Sequence, residues 1–261
     1  MQAAGAATVN PLDLSGRHFL ITGAASGIGQ ASAVLMHQLG ARLSLVDRDE
    51  ARLAETCRML GGAVQAVGYP FDLSQTEGID ALVTGIVAHG GLLNGVVHCA
   101  GMQSVVPVRT LRQENWRALF AVNTEAGLAL AKAMASKKNY GGDNGAIIFI
   151  SSIMALAGSA GAVAYSMSKA ALHGMTRALA IELAPRNLRV NCIAPGFVRT
   201  PMFEDTAAAW DQAQHDAVEA LHPLGFGTPQ DVANAVAFLA ADTGRWITGS
   251  IMVVDGGYLA R

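Results

Sequence analysis

Two side chains four residues apart, Tyr165 and Lys169 in the stretch AYSMSKAAL, form the pair whose spacing most directly suggests chemistry. On a helix, positions i and i+4 share a face, so the phenol and the ammonium project together. A phenol with a pKa near 10 transfers protons poorly at neutral pH, and bringing it to about 7 takes roughly 4 kcal/mol of preferential stabilisation of the phenolate. One ammonium about 4 Å away, at an effective dielectric of about 20, supplies approximately that much. The pair could then act as a general acid/base worth roughly 10²–10⁴ in rate. No charged side chain lies between Asp143 and Lys169, so no neighbouring carboxylate in the sequence offsets the lysine's field. The same spacing is common on exposed helix faces, and other residues must decide between the two readings.

Two polar residues shift the balance. Ser152 directly follows the apolar run AIIFIS, where a hydroxyl could hydrogen-bond a substrate oxygen or simply cap a turn. Asn123, in FAVNTEAG, is an amide in an apolar helical stretch, a position that disfavours Asn unless its side chain is bonded. A third feature lies near the N-terminus. After HFLI comes TGAASGIG, whose Gly23, Gly27 and Gly29 would let the backbone turn tightly and bring a helix N-terminus towards a pyrophosphate. The next apolar run ends in Asp47, where a carboxylate can accept hydrogen bonds from an adenosine ribose and would repel a 2′-phosphate. NAD is therefore favoured over NADP, although Arg48 could grip that phosphate if Asp47 turned away. Asp72, in FDL, reads equally as a contact to the adenine edge and as a helix N-cap.

The elements that must position these residues follow from the hydrophobic pattern. Seven short apolar runs, at 18–22, 41–47, 63–71, 94–100, 145–151, 188–194 and 249–255, lack in/out alternation and read as strands buried on both faces. Helical patterns lie between them, at 28–39, 50–60, 76–88, 114–136, 165–184, 203–220 and 230–241. This alternation predicts an α/β, doubly wound (Rossmann-type) sheet of about seven mainly parallel strands with helices on both faces. Ligands bind such sheets beyond the carboxyl ends of the strands, where all of these motifs fall. No linker or repeat interrupts the pattern, so residues 15–261 read as one domain, preceded by a flexible segment at 1–14.

Composition narrows the partners. A net charge of −2 and the absence of a basic run argue against nucleic acid and anionic membranes, leaving a small-molecule substrate. The uncharged segment 144–168 is long enough to span a bilayer, but its five serines and its turn-forming tail make it a strand and a loop. The three cysteines, Cys57, Cys99 and Cys192, suit neither a disulfide framework nor a zinc site, and the histidines lack metal-ligand spacing, so no metal is expected. With no secretory signal pattern at the start, this predicts a cytoplasmic protein. The positive mean hydropathy of +0.33 predicts a homotetramer or homodimer.

Taken jointly, the motifs resemble those of the short-chain dehydrogenase/reductase family, conventional single-domain type, and are similar to its 3-oxoacyl-carrier-protein reductase-like members. TGAASGIG matches the family's TGxxxGxG and YSMSK its YxxxK, while Ser152 stands thirteen residues before Tyr165, as the family's serine does. APGFVRT resembles its PG segment and VDGG its C-terminal signature. The resemblance implies an oxidoreductase that moves a hydride between nicotinamide and a secondary alcohol or ketone. Its catalytic tetrad would be Asn123, Ser152, Tyr165 and Lys169. Tyr165 would exchange the proton and Ser152 would steady the substrate oxygen. Lys169 would lower the tyrosine pKa and bind the nicotinamide ribose, and Asn123 would hold a relay water. It also implies a cofactor site of Gly23, Ser26, Gly27, Ile28, Gly29, Asp47, Asp72, Leu73, Cys99, Ala100, Gly101, Tyr165, Lys169, Pro195, Gly196, Val198 and Thr200.

The same resemblance implies a mainly apolar substrate pocket with Gln103, Met154, Leu156, Phe197, Met202, Phe203 and Trp210. Arg109 and Arg199 are the nearby cations that could meet an anionic substrate. One departure is HCAG in place of the family's NNAG, which predicts a core histidine at His98 and an inert thiol at Cys99. Two alternatives to a simple ketone reductase are a 3-oxoacyl thioester reductase using NADPH and a catalytically silent NAD sensor. The presence of both Tyr165 and Lys169 argues against the sensor.

Overall fold

The structure, a computed structural model, describes residues 10–62 and 65–260. Among them, seven strands form one all-parallel sheet in the order β3-β2-β1-β4-β5-β6-β7. The strands are β1 His18–Thr22, β2 Arg42–Asp47, β3 Ala66–Pro70, β4 Gly95–His98, β5 Gly145–Ile150, β6 Leu188–Pro195 and β7 Ile251–Val254. Every predicted strand is present, and the α/β doubly wound class holds. Residues 63–64, the predicted start of β3, lie outside the described residues. β1, β4, β5 and β6 are buried along their whole length, which is why their sequences run apolar without alternation.

The nine α-helices of the described residues are α1 Gly27–Gln38, α2 Glu50–Met59, α3 Ile79–Gly90, α4 Gln113–Phe120, α5 Ala126–Met134, α6 Val163–Leu183, α7 Pro201–Ala207, α8 Gln212–Glu219 and α9 Pro229–Ala240. α1 and α9 pack together on one face through Ala33, Met36, Val232 and Val236. α3, α5 and α6 cover the other through Ile79, Val83, Leu130, Leu172 and Leu183. β2 and β3 lie on one side of β1, and the chain then crosses to β4 on the other side. That reversal opens a crevice at the carboxyl ends of β1 and β4, the switch point of the sheet.

Three sequence expectations change. The segment predicted as frayed includes Leu14, which is fully buried and donates its N–H to the Leu39 carbonyl at 2.8 Å. Burying that side chain contributes about 1.5–3 kcal/mol, so the folded body starts before residue 15. Residues 1–9 lie outside the described residues. The helix predicted at 114–136 is interrupted by a π turn over Ala121–Glu125. The helix predicted at 203–220 is two helices, because Asp211 starts α8 with a reciprocal capping box to Gln214. The segment 144–168 is β5, a loop and the start of α6; among the described residues no helix is long and apolar enough to cross a membrane.

Candidate active site

A cavity of about 820 Å³ runs along the carboxyl ends of the strands, from the glycine loop to α7 and Trp210. All of the predicted cofactor residues line it, as do all of the predicted substrate residues named above except Leu156. Of the tetrad, Ser152, Tyr165 and Lys169 face the cavity, while Asn123 sits one layer behind it, fully buried.

Steric necessity builds the first wall. A side chain at Gly29 would place Cβ 2.1 Å from the Gly23 carbonyl oxygen, so glycine alone lets α1 start against the end of β1. Gly27 has φ +53°, a left-handed value that favours glycine at this turn. The Ser26 side chain makes no cap on α1, and the first amides of that helix have no intrahelical partner. At the next strand end the Asp47 carboxylate accepts from Ala25 N at 3.1 Å and from Asp49 N at 3.0 Å. It is thus held at the cavity wall by two backbone donors. Arg48 lines the same end. Asp72 accepts from Ser74 N at 2.9 Å in a turn after β3, so its helix-cap reading gives way to a turn brace beside the cavity. Amide donors at a helix N-terminus beside an anchored carboxylate fit a dinucleotide, whose pyrophosphate seeks the former and whose ribose hydroxyls seek the latter.

The middle of the cavity holds Ser152, Tyr165 and Lys169, with Asn123 behind them. Tyr165 lies in the first turn of α6, after a serine- and glycine-containing loop, and Lys169 follows one turn later. Lys169 is 4 % exposed, donates from Nζ to the Ile150 carbonyl at 2.8 Å and stands 6.0 Å from the centre of the Tyr165 ring. Gly101 leaves room for this packing, since a Cβ there would lie 3.1 Å from Lys169 Nζ and 3.2 Å from Asn123 Oδ1.

The electrostatics differ from the sequence expectation. Burial raises the Tyr165 phenol above its usual value, and the Ser152 hydroxyl pulls weakly the other way. Burial also depresses Lys169 to about 8. The simple two-charge argument placed the ammonium about 4 Å from the phenol and left out the cost of desolvating a phenolate. In the buried site desolvation wins, and the phenol shifts upward rather than downward.

Asn123 occupies the π turn, the kind of helix defect found frequently at functional sites. Its amide donates to the Met102 carbonyl and to Ser168 Oγ, both at 2.9 Å, and its Oδ1 accepts from Met102 N at 2.7 Å. Both amide hydrogens are therefore committed to protein, which leaves only a lone pair on Oδ1 for a relay water. Ser152 Oγ accepts from Met154 N at 3.1 Å and keeps its own hydrogen to donate. The predicted core histidine is one: His98 bonds Thr22 Oγ1 at 2.9 Å and the Val122 carbonyl at 3.2 Å, and burial drives its pKa down to about 3. Burial pushes the Cys99 thiol up to about 12, far from a nucleophile's range.

Beyond Lys169 the cavity is walled by α7, the segment after β6 and Trp210. Thr200 caps α7 by accepting from Phe203 N at 3.2 Å, and its hydroxyl hydrogen stays free to donate. Phe197 meets Phe203 at 6.3 Å and Trp210 at 6.2 Å between ring centres. Every charged side chain lining the cavity, namely Asp47, Arg48, Asp49, Arg52, Asp72 and Lys169, belongs to its other parts. Neither Arg109 nor Arg199 lines it; Arg199 pairs instead with Glu219 at 3.4 Å. Leu156 is half exposed and also lies outside. Sequence reasoning passed over Arg52 and Ser159, which do line the cavity.

Comparison with known proteins agrees with this geometry. A family model described as Enoyl-(Acyl carrier protein) reductase matches residues 23–259. The chain is 35% identical to the 3-oxoacyl-[acyl-carrier-protein] reductase FabG of Thermotoga maritima, over 94% of this chain and 98% of that one. It is 34% identical to the human (3R)-3-hydroxyacyl-CoA dehydrogenase, over 91% and 94% of the two chains. Among solved structures, an NAD(P)-dependent gluconate 5-dehydrogenase from Beutenbergia cavernae with bound NADP superposes with a TM-score of 0.89 at 32% identity, covering 97% of this chain and all of that one. A 4-hydroxyisoleucine dehydrogenase complexed with NADH superposes with a TM-score of 0.86 at 28% identity, covering 94% and 99%. On this evidence the chain belongs to the short-chain dehydrogenase/reductase family, as an oxidoreductase that acts on CH–OH groups with NAD(P) as acceptor.

Proposed function

We propose that this enzyme uses NAD in preference to NADP and interconverts a neutral, apolar ketone and its secondary alcohol. The observation that carries the reading is one cavity in which Tyr165, Ser152 and Lys169 stand between the backbone-anchored Asp47 carboxylate and an uncharged aromatic wall. Gly27–Gly29, Ser26, Asp47 and the segment Pro195–Thr200 would hold the dinucleotide, which supplies the hydride when bound. In ketone reduction Tyr165 Oη gives its proton to the substrate oxygen, and the Ser152 hydroxyl donates a hydrogen bond to that oxygen as it gains charge. Lys169, fixed through Ile150, sets the field around the phenol and faces the ribose side of the cavity. Asn123 holds the strand-four loop against α6 through Met102 and Ser168.

A panel of neutral ketones assayed with NADH and NADPH tests this. The expected result is turnover with NADH, and a fall of about tenfold or more in the NADH/NADPH preference when Asp47→Ser removes the repelling carboxylate. Preference for NADPH in the unaltered enzyme would overturn the cofactor reading, with Arg48 and Arg52 as the phosphate contacts.

A second reading, an NADPH-dependent reductase of 3-oxoacyl thioesters, is favoured in its substrate class by the similarity to the Thermotoga 3-oxoacyl-[acyl-carrier-protein] reductase. It predicts at least tenfold higher kcat/KM for an acetoacetyl thioester than for a simple ketone, a difference of about 1.4 kcal/mol in transition-state binding. We also propose a homodimeric or homotetrameric assembly, supported by the exposure of Ile181, Leu224 and Trp246, and a cytoplasmic setting, supported by three free cysteines. A monomeric mass by light scattering would overturn the assembly.

A further inference from the structure

His222 sits behind the aromatic wall, 3 % exposed, in the turn after α8, and does not line the cavity. Its Nδ1 lies 3.0 Å from the Val218 carbonyl, and its Nε2 lies 3.3 Å from the backbone nitrogen of Phe197. A carbonyl offers only lone pairs and an amide only a hydrogen, so one tautomer satisfies both contacts: Nδ1 carries the proton and Nε2 accepts from Phe197. The ring also packs edge-on against Phe197 at 5.4 Å, and against Phe226 at 5.4 Å and Tyr258 at 5.0 Å.

Phe197 is pinned from both sides. Its carbonyl accepts from Gly227 N at 3.0 Å, and Gly196 before it donates to the Val254 carbonyl at 2.9 Å. The Phe197 N–H donates to His222 in a part-buried bond, and without that acceptor it would lose this protein partner. The ring of Phe197 is the hub of the wall, touching Phe203, Trp210, His222, Phe226 and Tyr258.

We propose that His222 is a positioning residue for substrate selection: by accepting the Phe197 N–H at Nε2 it holds the Phe197 ring in the cavity wall, and so sets the acceptance of bulky apolar ketones. The proposal rests on the neutral-ketone reading above. It places selection in a residue that touches neither substrate nor cofactor.

Two measurements test it. In ¹⁵N NMR of histidine-labelled enzyme at neutral pH, His222 should show the Nδ1–H tautomer, and an Nε2–H tautomer would overturn the proposal whatever the kinetics. In steady-state assays with saturating NADH, His222→Phe keeps an aromatic ring but removes the acceptor, while His222→Gln offers an amide oxygen at a similar reach. For acetophenone, His222→Phe should raise KM about tenfold, the scale of one lost hydrogen bond, with kcat changed less than about twofold. For propanone, too small to need the wall, kcat/KM should change less than about twofold, and His222→Gln should bring acetophenone back to within about threefold of the starting enzyme. In a Phe197→Ala background, His222→Phe should add no further loss of selectivity.

Equal losses on both ketones, unaltered selectivity, or failure of the glutamine variant to rescue would each overturn the proposal. No turnover of any ketone by the unaltered enzyme would remove the neutral-ketone reading and the proposal together. Turnover with unaltered selectivity in the variants would remove the proposal alone. If His222→Phe does not fold, the tautomer measurement still decides against or for the bond on which everything rests.

Discussion

The two ends of the cavity are made of different material. At the glycine-loop end much of the wall is backbone, with Gly29 pressed against the Gly23 carbonyl and the first amides of α1 beside an Asp47 carboxylate held by two N–H groups. At the α7 end the walls are side chains drawn from residues 197 to 210, with Phe203 lying 5.8 Å from Trp210 and 5.0 Å from Phe226 behind the wall. Backbone walls tolerate almost no substitution, because an added Cβ has nowhere to go. Side-chain walls can be re-cut one residue at a time, at the cost of local packing. On the proposed function, the contrast separates a fixed cofactor end from an adjustable substrate end, and Ser152, Tyr165 and Lys169 stand at the seam.

The sharpest way to break that division is at the seam itself. Tyr165→Phe should lower kcat in both directions by roughly 10²–10⁴ while nicotinamide affinity, read by fluorescence titration, stays within about twofold. A variant retaining full activity would remove the tyrosine from the chemistry. The raised phenol pKa adds a direction to this test. Reduction needs the protonated phenol and oxidation the phenolate, so oxidation should climb with pH by up to about tenfold per unit on its acid limb. Reduction should hold level through neutrality, and a pH-independent oxidation rate would contradict the assignment. At the cofactor end, Gly29→Ala should cost about 3 kcal/mol or more of stability, seen as a fall in thermal midpoint together with lost cofactor binding. At the substrate end, Trp210→Ala should raise KM for aryl ketones by roughly tenfold and leave cofactor affinity unchanged. If instead Trp210→Ala weakened the cofactor and Gly29→Ala were harmless, the division would be wrong.

Legibility follows the same boundary. Strands such as GAIIFI and helix starts such as Gly27 were readable because burial on both faces and turn geometry act over a few residues. The break between α7 and α8 was missed although Asp211 and Gln214 spell a capping box, because the apolar spacing around Trp210 resembled a continuous helix. Asn123 was readable as an anomaly, but its partners Met102 and Ser168 lie 21 and 45 residues away and no local rule names them. The direction of the Tyr165 shift was misread for a related cause. Spacing gives the distance between two charges, whereas desolvation depends on everything that packs around them.

The sequence by itself determined the alternation of strand and helix, the glycine turn, the carboxylate at the end of β2 and the tyrosine, lysine and serine of the seam, because each is imposed by contacts within a turn or a strand. Only the tertiary structure decided that these meet in one cavity, that burial shifts the phenol upward, that Arg109 and Arg199 stay out, and that His222 backs Phe197. Those outcomes depend on desolvation and on contacts between segments far apart in the chain, which no local pattern encodes.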